Sequence, residues 1–226
     1  MKQFQENLGI LTQLESDDLM NTKVLLVGLG GLGGYIANSL TRLGVKSMIL
    51  VDYDSFEVSN LNRQLFSQHI NLGEKKTDVL KRELLSINPF VNITTYSNKI
   101  ETLDDSLLQD IDILIDAVDN IHTKCYLEKL GTKLNKPLLH GAIGGWFGQF
   151  GLIMPGSNLL NELYETHTPG LEKTLKSPTF TPGIIANLMV SEFVKFITKK
   201  EHSLINQIMM IDLLNHDYQI IFDKSK

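Results

Sequence analysis

The chain has 226 residues, 42% hydrophobic and 21% charged, enough for one sizeable packed domain. A net charge of -5 and only three arginines, Arg42, Arg63 and Arg82, supply no cationic field for nonspecific nucleic-acid binding. The single cysteine, Cys125, excludes an internal disulfide framework and any Cys-pair zinc site; with no signal-peptide core and no apolar run near about 20 residues, the expectation is a cytoplasmic protein without a membrane.

In chain order, residues 23–29, 46–52, 91–97, 111–117 and 137–143 are short apolar runs that read as strands. Between them, "LGGYIANSLTRLG", "KKTDVLKRELLSIN" and "NIHTKCYLEKLGTKLN" carry apolar residues at helical spacing, with Gly44, Asn88 and Asn135 where those helices stop. Strands joined by crossover helices predict an α/β fold with a mainly parallel sheet flanked by helices. "GGWFGQFGLIMPG" alternates like an exposed-edge strand. Residues 155–181 lack a period and read as a long, mobile crossover loop. Residues 183–197 read as an apolar helix, and "NQIMMIDLLNHDYQIIF" as a hairpin that adds a C-terminal antiparallel extension. One domain over residues 1–226 is expected.

"VGLGGLGG" fits G-x-G-x-x-G at Gly28, Gly30 and Gly33, with Gly31 inside it, between a predicted strand and a predicted helix. Glycines there permit a tight turn and close approach to a phosphate, and free N–H groups at the helix start attract negative charge. Asp52 ends the next strand, where a carboxylate can accept from ribose hydroxyls. A nucleotide is expected, and on these features alone an NAD-linked oxidoreductase is the leading reading.

The polar residues beyond Asp52 separate the two. Asp54, Ser59, Asn60, Asn62, Arg63 and Gln64, then Lys75 and Lys76, then Asp116, Asp119 and Asn120, fall at carboxyl ends of strands or in the loops that follow. A guanidinium and an ammonium suit a triphosphate, and a carboxylate opposite them suits Mg²⁺. The adjacent Lys75 and Lys76 leave the register of that lysine open by one, and solvated surface charge is the plainer reading for Lys75. Asp116 reads either as a site residue or as a cap or backbone acceptor. His140 reads as a hydrogen-bonded core histidine and Cys125 as a small buried apolar side chain. His69, His122 and His167 have no metal-ligand spacing.

"KVLLVGLGGLGGYIANSLTRLGV", "ILVDYDSFEVSNLNRQLF", "LGEKKTDVLKRELLSINP", "LIDAVDN" and "PLLHGAIGGWFGQ" resemble, in order and spacing, the ThiF/MoeB/HesA family of ubiquitin-activating-enzyme-like adenylyltransferases. The resemblance implies a Rossmann-like domain that forms a homodimer. It also implies Mg²⁺- and ATP-dependent adenylation of the C-terminal glycine of a small ubiquitin-like sulfur-carrier protein ending in Gly-Gly, for molybdopterin- or thiamin-type cofactor synthesis. By position, Gly28, Gly30 and Gly33 would form the nucleotide turn and Asp52 would bind ribose. Asn60, Arg63 and Lys76 would hold phosphates, Asp119 would bind Mg²⁺ and Asn120 would line the site. Gln149 and Trp146 would lie where family members receive the carrier's tail, although an aromatic on an edge strand is more often packing. Related enzymes that dehydrate a threonylcarbamoyladenosine of tRNA are the alternative within the family. An NAD-linked oxidoreductase and a non-catalytic nucleotide-binding scaffold are the alternatives outside it.

Three departures from the family pattern stand out. Both Cys-x-x-Cys pairs that many members use for zinc are missing, and residues 150–200 contain no cysteine for a thioester or persulfide step. Family members also begin with an R-Y-x-R-like segment whose second arginine enters the partner's nucleotide site. The matching stretch here, "QFQENLGIL", offers Gln3 and Glu6, and a carboxylate cannot neutralise phosphate.

Overall fold

The five apolar runs form β1 (Lys23–Val27), β2 (Ser47–Val51), β3 (Asn92–Tyr96), β4 (Ile113–Asp116) and β5 (Leu138–Gly144) in a computed structural model that describes residues 2–165 and 175–224. Period-two alternation sends their side chains to opposite faces. Val24 and Leu26 of β1, Met48 and Leu50 of β2, and Ile113 and Ile115 of β4 join one core cluster; Leu25, Val27, Ile49, Val51 and Leu114 join the other. Burial on both faces explains why these runs are continuously apolar. Helices α1 (Gln13–Asn21), α2 (Gly31–Leu43), α3 (Lys76–Ile87) and α6 (Phe180–Ile197) cover the first face, and α4 (Ile121–Leu134) and α5 (Leu159–Glu165) cover the second.

The sheet order is β3-β2-β1-β4-β5-β6-β7-β8, parallel through β5 and antiparallel across β6 (Phe147–Ile153), β7 (Gln207–Asp212) and β8 (Asp217–Asp223). This is the expected Rossmann-like α/β sheet with an antiparallel extension. The order reverses between β1 and β4, which opens a crevice at the carboxyl ends of those strands. Gly44, Asn88 and Asn135 are the residues at which α2, α3 and α4 end, Gly44 and Asn135 in the left-handed conformation.

Four expectations need correction. β6 is not an edge strand, because it pairs with β5 on one side and β7 on the other. Its glycines answer to close packing: a Cβ on Gly151 would lie 1.9 Å from Gln207 O, and one on Gly148 2.3 Å from Ile185 Cδ1. The expected loop at 155–181 contains α5, whose Leu159, Leu160 and Leu163 are buried; residues 166–174 of that loop lie outside the described residues. α6 begins at Phe180 rather than Gly183, with Pro182 in the first turn, where its missing N–H costs nothing. Cys125 is half-buried rather than fully buried.

By length and hydropathy α6 could pass for a membrane span, yet it packs on α2, β5 and β6 with Ile185, Ala186, Met189 and Phe193 fully buried. No element is predicted before β1 from the sequence. Thr12 and Glu15 form a capping box that starts α1, while Gln3 donates to Ile87 O and Asn7 to Leu43 O. Those carbonyls end α3 and α2, so the exposed Glu6 sits at the sheet edge opposite the crevice.

Candidate nucleotide-binding cleft

Strand register assembles the cleft. Val27 lies beside Val51 on one side and Asp116 on the other, so Gly28, Asp52 and Ala117 follow in a row at the carboxyl edge. They open into a cleft of about 1010 Å³ walled by Gly28, Gly30, Gly31, Asp52, Asp54, Arg63, Gln64, Lys76, Asp119 and Asn120, among others.

The glycines have separate duties. Gly28 has φ +89, and a Cβ there would meet Ala117 O at 2.6 Å. Gly33 does not line the cleft. Its Cα packs on Gly28, and a Cβ would lie 1.8 Å from Gly28 O, so it holds α2 against the turn. Gly33→Ala is therefore expected to force the helix off the strand, at a cost of about 1–3 kcal/mol. A urea melt unchanged from wild type would refute this.

The buried Asp52 accepts from Leu29 N at 2.7 Å and from Asp54 N at 2.8 Å. Burial pushes its carboxyl above the usual value, with the Lys76 ammonium at 3.9 Å pulling the other way. Lys76 reaches into the cleft and donates to Asp54 Oδ2 at 3.0 Å. Lys75 is exposed and donates to Tyr53 O.

The segment Ser59–Phe66 splits by position. Asn60 is buried in its own turn, with Oδ1 accepting from Glu57 N, and stands outside the cleft wall. Asn60, expected to hold phosphate, has its side-chain oxygen bonded within the turn and lies off the cleft wall, where Asn62 stands instead. Arg63 Nη1 donates to Ser59 O and Asn62 Oδ1, both at 2.9 Å, and these acceptors are uncharged. Gln64 lies with Nε2 near Gly30, and its Oε1 is buried without a hydrogen-bond partner among the described residues. A buried carbonyl oxygen left unpaired is costly, and a donor brought by a ligand would satisfy it.

Across the cleft, Asp119 is exposed, while Asn120 caps α4 by accepting from Thr123 N at 2.9 Å. Among the described residues no His, Cys, Asp and Glu group forms a metal cage. Mg²⁺ needs none when phosphates supply most of its oxygens, so one carboxylate fits that role.

Asp116 is not part of the wall. It is fully buried behind the Ala117–Asp119 loop, with Oδ1 accepting from Val118 N at 3.0 Å. The β4–β5 register sets it beside His140, whose Nδ1 lies 2.7 Å from Asp116 Oδ2, and Lys124 Nζ adds an ion pair at 3.4 Å while donating to Gly141 O. Gln149, expected at the carrier's entry, instead donates to Tyr164 OH at 3.0 Å and lies 3.3 Å from His140 Nε2. Trp146 sits in the β5–β6 turn and packs on Phe180 at 4.6 Å between ring centroids.

Sequence reasoning missed Lys99, Glu101, Thr123 and Lys176 as wall residues. "SNKIE" directly follows β3, so the preference of ligands for strand carboxyl ends could have found Lys99 and Glu101. Lys99 Nζ stands 5.5 Å from the Tyr53 ring centroid, and Glu101 accepts from Thr123 Oγ1 at 2.7 Å.

A model described as the ThiF family matches residues 4–226. The chain belongs to the ThiF family. Among ThiF-family relatives, a molybdopterin-synthase adenylyltransferase of Haemophilus influenzae is 29% identical over 204 residues, covering 87% of this chain and 83% of the relative. A tRNA threonylcarbamoyladenosine dehydratase of Bacillus subtilis is 28% identical over 194 residues, covering 84% and 74%. The chain spans only 24% to 57% of longer Dictyostelium discoideum relatives, among them ubiquitin-like modifier-activating enzyme 5. A solved structure of E. coli MccB with ATP is 25% identical with a TM-score of 0.75, covering 92% of this chain and 66% of that one.

Proposed function

We propose that this chain is an ATP-dependent adenylyltransferase, one adenylation domain over residues 1–226, that activates the C-terminal glycine carboxylate of a small ubiquitin-like sulfur-carrier protein. It would use Mg²⁺, work as a cytoplasmic homodimer and serve molybdopterin- or thiamin-type cofactor synthesis. The observation that carries the reading is the cleft itself: a glycine turn and, among the described residues, an unpaired buried Gln64 Oε1 and an arginine bonded only to neutral acceptors, facing one open carboxylate.

Such a site suits the chemistry. A carboxylate oxygen attacks the α-phosphorus, the bond to the bridging oxygen breaks, and pyrophosphate leaves with the electron pair. No proton moves, so catalysis reduces to alignment and to neutralising charge on the leaving group. In this reading Gly28, Gly30 and Gly31 let the phosphates approach the backbone, Asp52 takes the ribose, Arg63 and Lys76 face the phosphates, and Asp119 takes Mg²⁺. Gln3 and Asn7 are tied to the far edge of the sheet, so Glu6 between them stands away from this chain's own cleft.

Supplying purified protein with a Gly-Gly-ending carrier, Mg²⁺, ATP and labelled pyrophosphate is expected to give carrier-dependent label in ATP. No exchange with the cognate carrier sinks the proposal, and carrier binding without exchange would favour a non-catalytic scaffold. Calorimetry with ATP–Mg²⁺ against NAD separates the oxidoreductase reading, in which His140 could not serve because it is fully buried against Asp116. The tRNA dehydratase reading gains from the coverage of the Bacillus subtilis relative and loses from the acidic chain. A tRNA gel shift that survives physiological salt would turn the choice toward it.

A further inference from the structure

Among the described residues, four Lys or Arg side chains line the cleft: Arg63, Lys76, Lys99 and Lys176. Two are already engaged. Lys76 pairs with Asp54 at 3.0 Å and approaches Asp52 at 3.9 Å, and Lys99 stands over the Tyr53 ring. Among the described residues Arg63 bonds only neutral oxygens and Lys176 forms no ion pair. The charge left over to meet a polyanion is therefore concentrated on Arg63 and Lys176.

Two contacts fix where Lys176 sits. Asn62, the neighbour of Arg63, donates from Nδ2 to Ser177 O at 3.4 Å. On the other side Leu175 packs on the β5–β6 turn, where a Cβ on Gly145 would meet Leu175 Cδ1 at 3.6 Å. The backbone of residues 175–177 is thus pinned between the polar turn and β5, with Lys176 between the two pins and on the wall. Three neighbours in the chain with two anchors hold a flexible side chain near one place.

We propose that Lys176 is a second phosphate-binding cation of this cleft, acting beside Arg63 on the triphosphate of the nucleotide. The inference rests on the nucleotide reading above and deepens it. It assigns to this chain's own segment a positive charge that Lys76, already paired with Asp54, supplies only in part. A lysine suits the place because a point charge on a long stem follows phosphate oxygens without demanding a fixed planar geometry.

The test is calorimetry of wild type, Lys176→Met and Lys176→Arg with ATP–Mg²⁺ and with AMP. Lys176 is exposed, so its replacement by an unbranched apolar side chain is expected to leave the fold intact, which circular dichroism checks. Lys176→Met should bind ATP–Mg²⁺ about tenfold more weakly, as loss of one charge-assisted contact implies, while binding AMP as wild type does. Lys176→Arg should restore most of the difference. Equal ATP–Mg²⁺ affinity in wild type and Lys176→Met overturns this assignment alone, and so does an equal loss toward AMP. Failure of the wild type to bind ATP–Mg²⁺ overturns the nucleotide reading and this inference with it.

Discussion

Arg63→Ala is expected to lower carrier-dependent pyrophosphate exchange by about two to three orders of magnitude, the usual consequence of removing one preorganised donor from a developing negative charge. The fold should survive. Arg63 is half-buried, makes no ion pair among the described residues, and gives its two bonds to Ser59 O and Asn62 Oδ1, so truncation strands no buried charge. The measurement is exchange rate beside a denaturant melt. A variant that exchanges at the wild-type rate would remove Arg63 from the proposed site, and one that loses exchange only because it unfolds would leave the role to be carried by Asp119→Ala, for which a similar loss is expected.

The second large effect falls on stability. Lys124→Met should cost about 3–5 kcal/mol, because it leaves Asp116 fully buried with its cationic partner gone. Burial by itself would raise the Asp116 carboxyl, but the Lys124 charge and the His140 hydrogen bond hold it below the ordinary carboxylate value. A depressed carboxylate contributes stability that is present above its unfolded value and lost as pH falls through the folded one. His140 is held below its ordinary value of 6.5, chiefly by burial, with Lys124 adding to the shift and Asp116 opposing it. The unfolded imidazole therefore takes up a proton that the folded one refuses, and stability should decline as pH drops below 6.5. His140→Gln should flatten that part of the profile in urea melts run from pH 7.5 to 5. An unchanged slope would mean that His140 takes up protons alike in the folded and unfolded states. A melt of Lys124→Met within about 1 kcal/mol of wild type would show that Asp116 escapes its burial.

How far the sequence could be read follows from the range of the interactions. The five parallel strands, the helices between them and the stops at Gly44, Asn88 and Asn135 are local: period, propensity and a left-handed cap are written within a few residues. The Thr12–Glu15 capping box was equally local, and α1 could have been found from it. What stayed hidden depends on partners far along the chain. β6 resembles an edge strand until β7, more than fifty residues later, pairs with it. α5 is short and polar on its surface, and its N-terminal N–H groups are capped by Glu128 from another helix.

The site divides the same way. Gly28, Asp52, Arg63, Lys76 and Asp119 are brought to one cleft as their places after strands implied. Asn60 and Asn62 carry the same chemistry two positions apart, and only the turn geometry decides that the first folds inward and the second faces out. Lys176 had no strand to announce it. Its place depends on a hydrogen bond that the side chain of Asn62, more than a hundred positions earlier, donates to Ser177 O.

Glu128 gives α4 a mechanical part as well. Asn120 begins that helix at the rim of the cleft, and a little over two turns on, about 12 Å along the axis, the Glu128 carboxylate grips the N–H groups of Leu159, Leu160 and Asn161. One stiff beam therefore carries the cleft rim at one end and the start of α5 further along. The Glu128 carboxylate is thus the joint through which the cleft rim and the start of α5 are held to one helix.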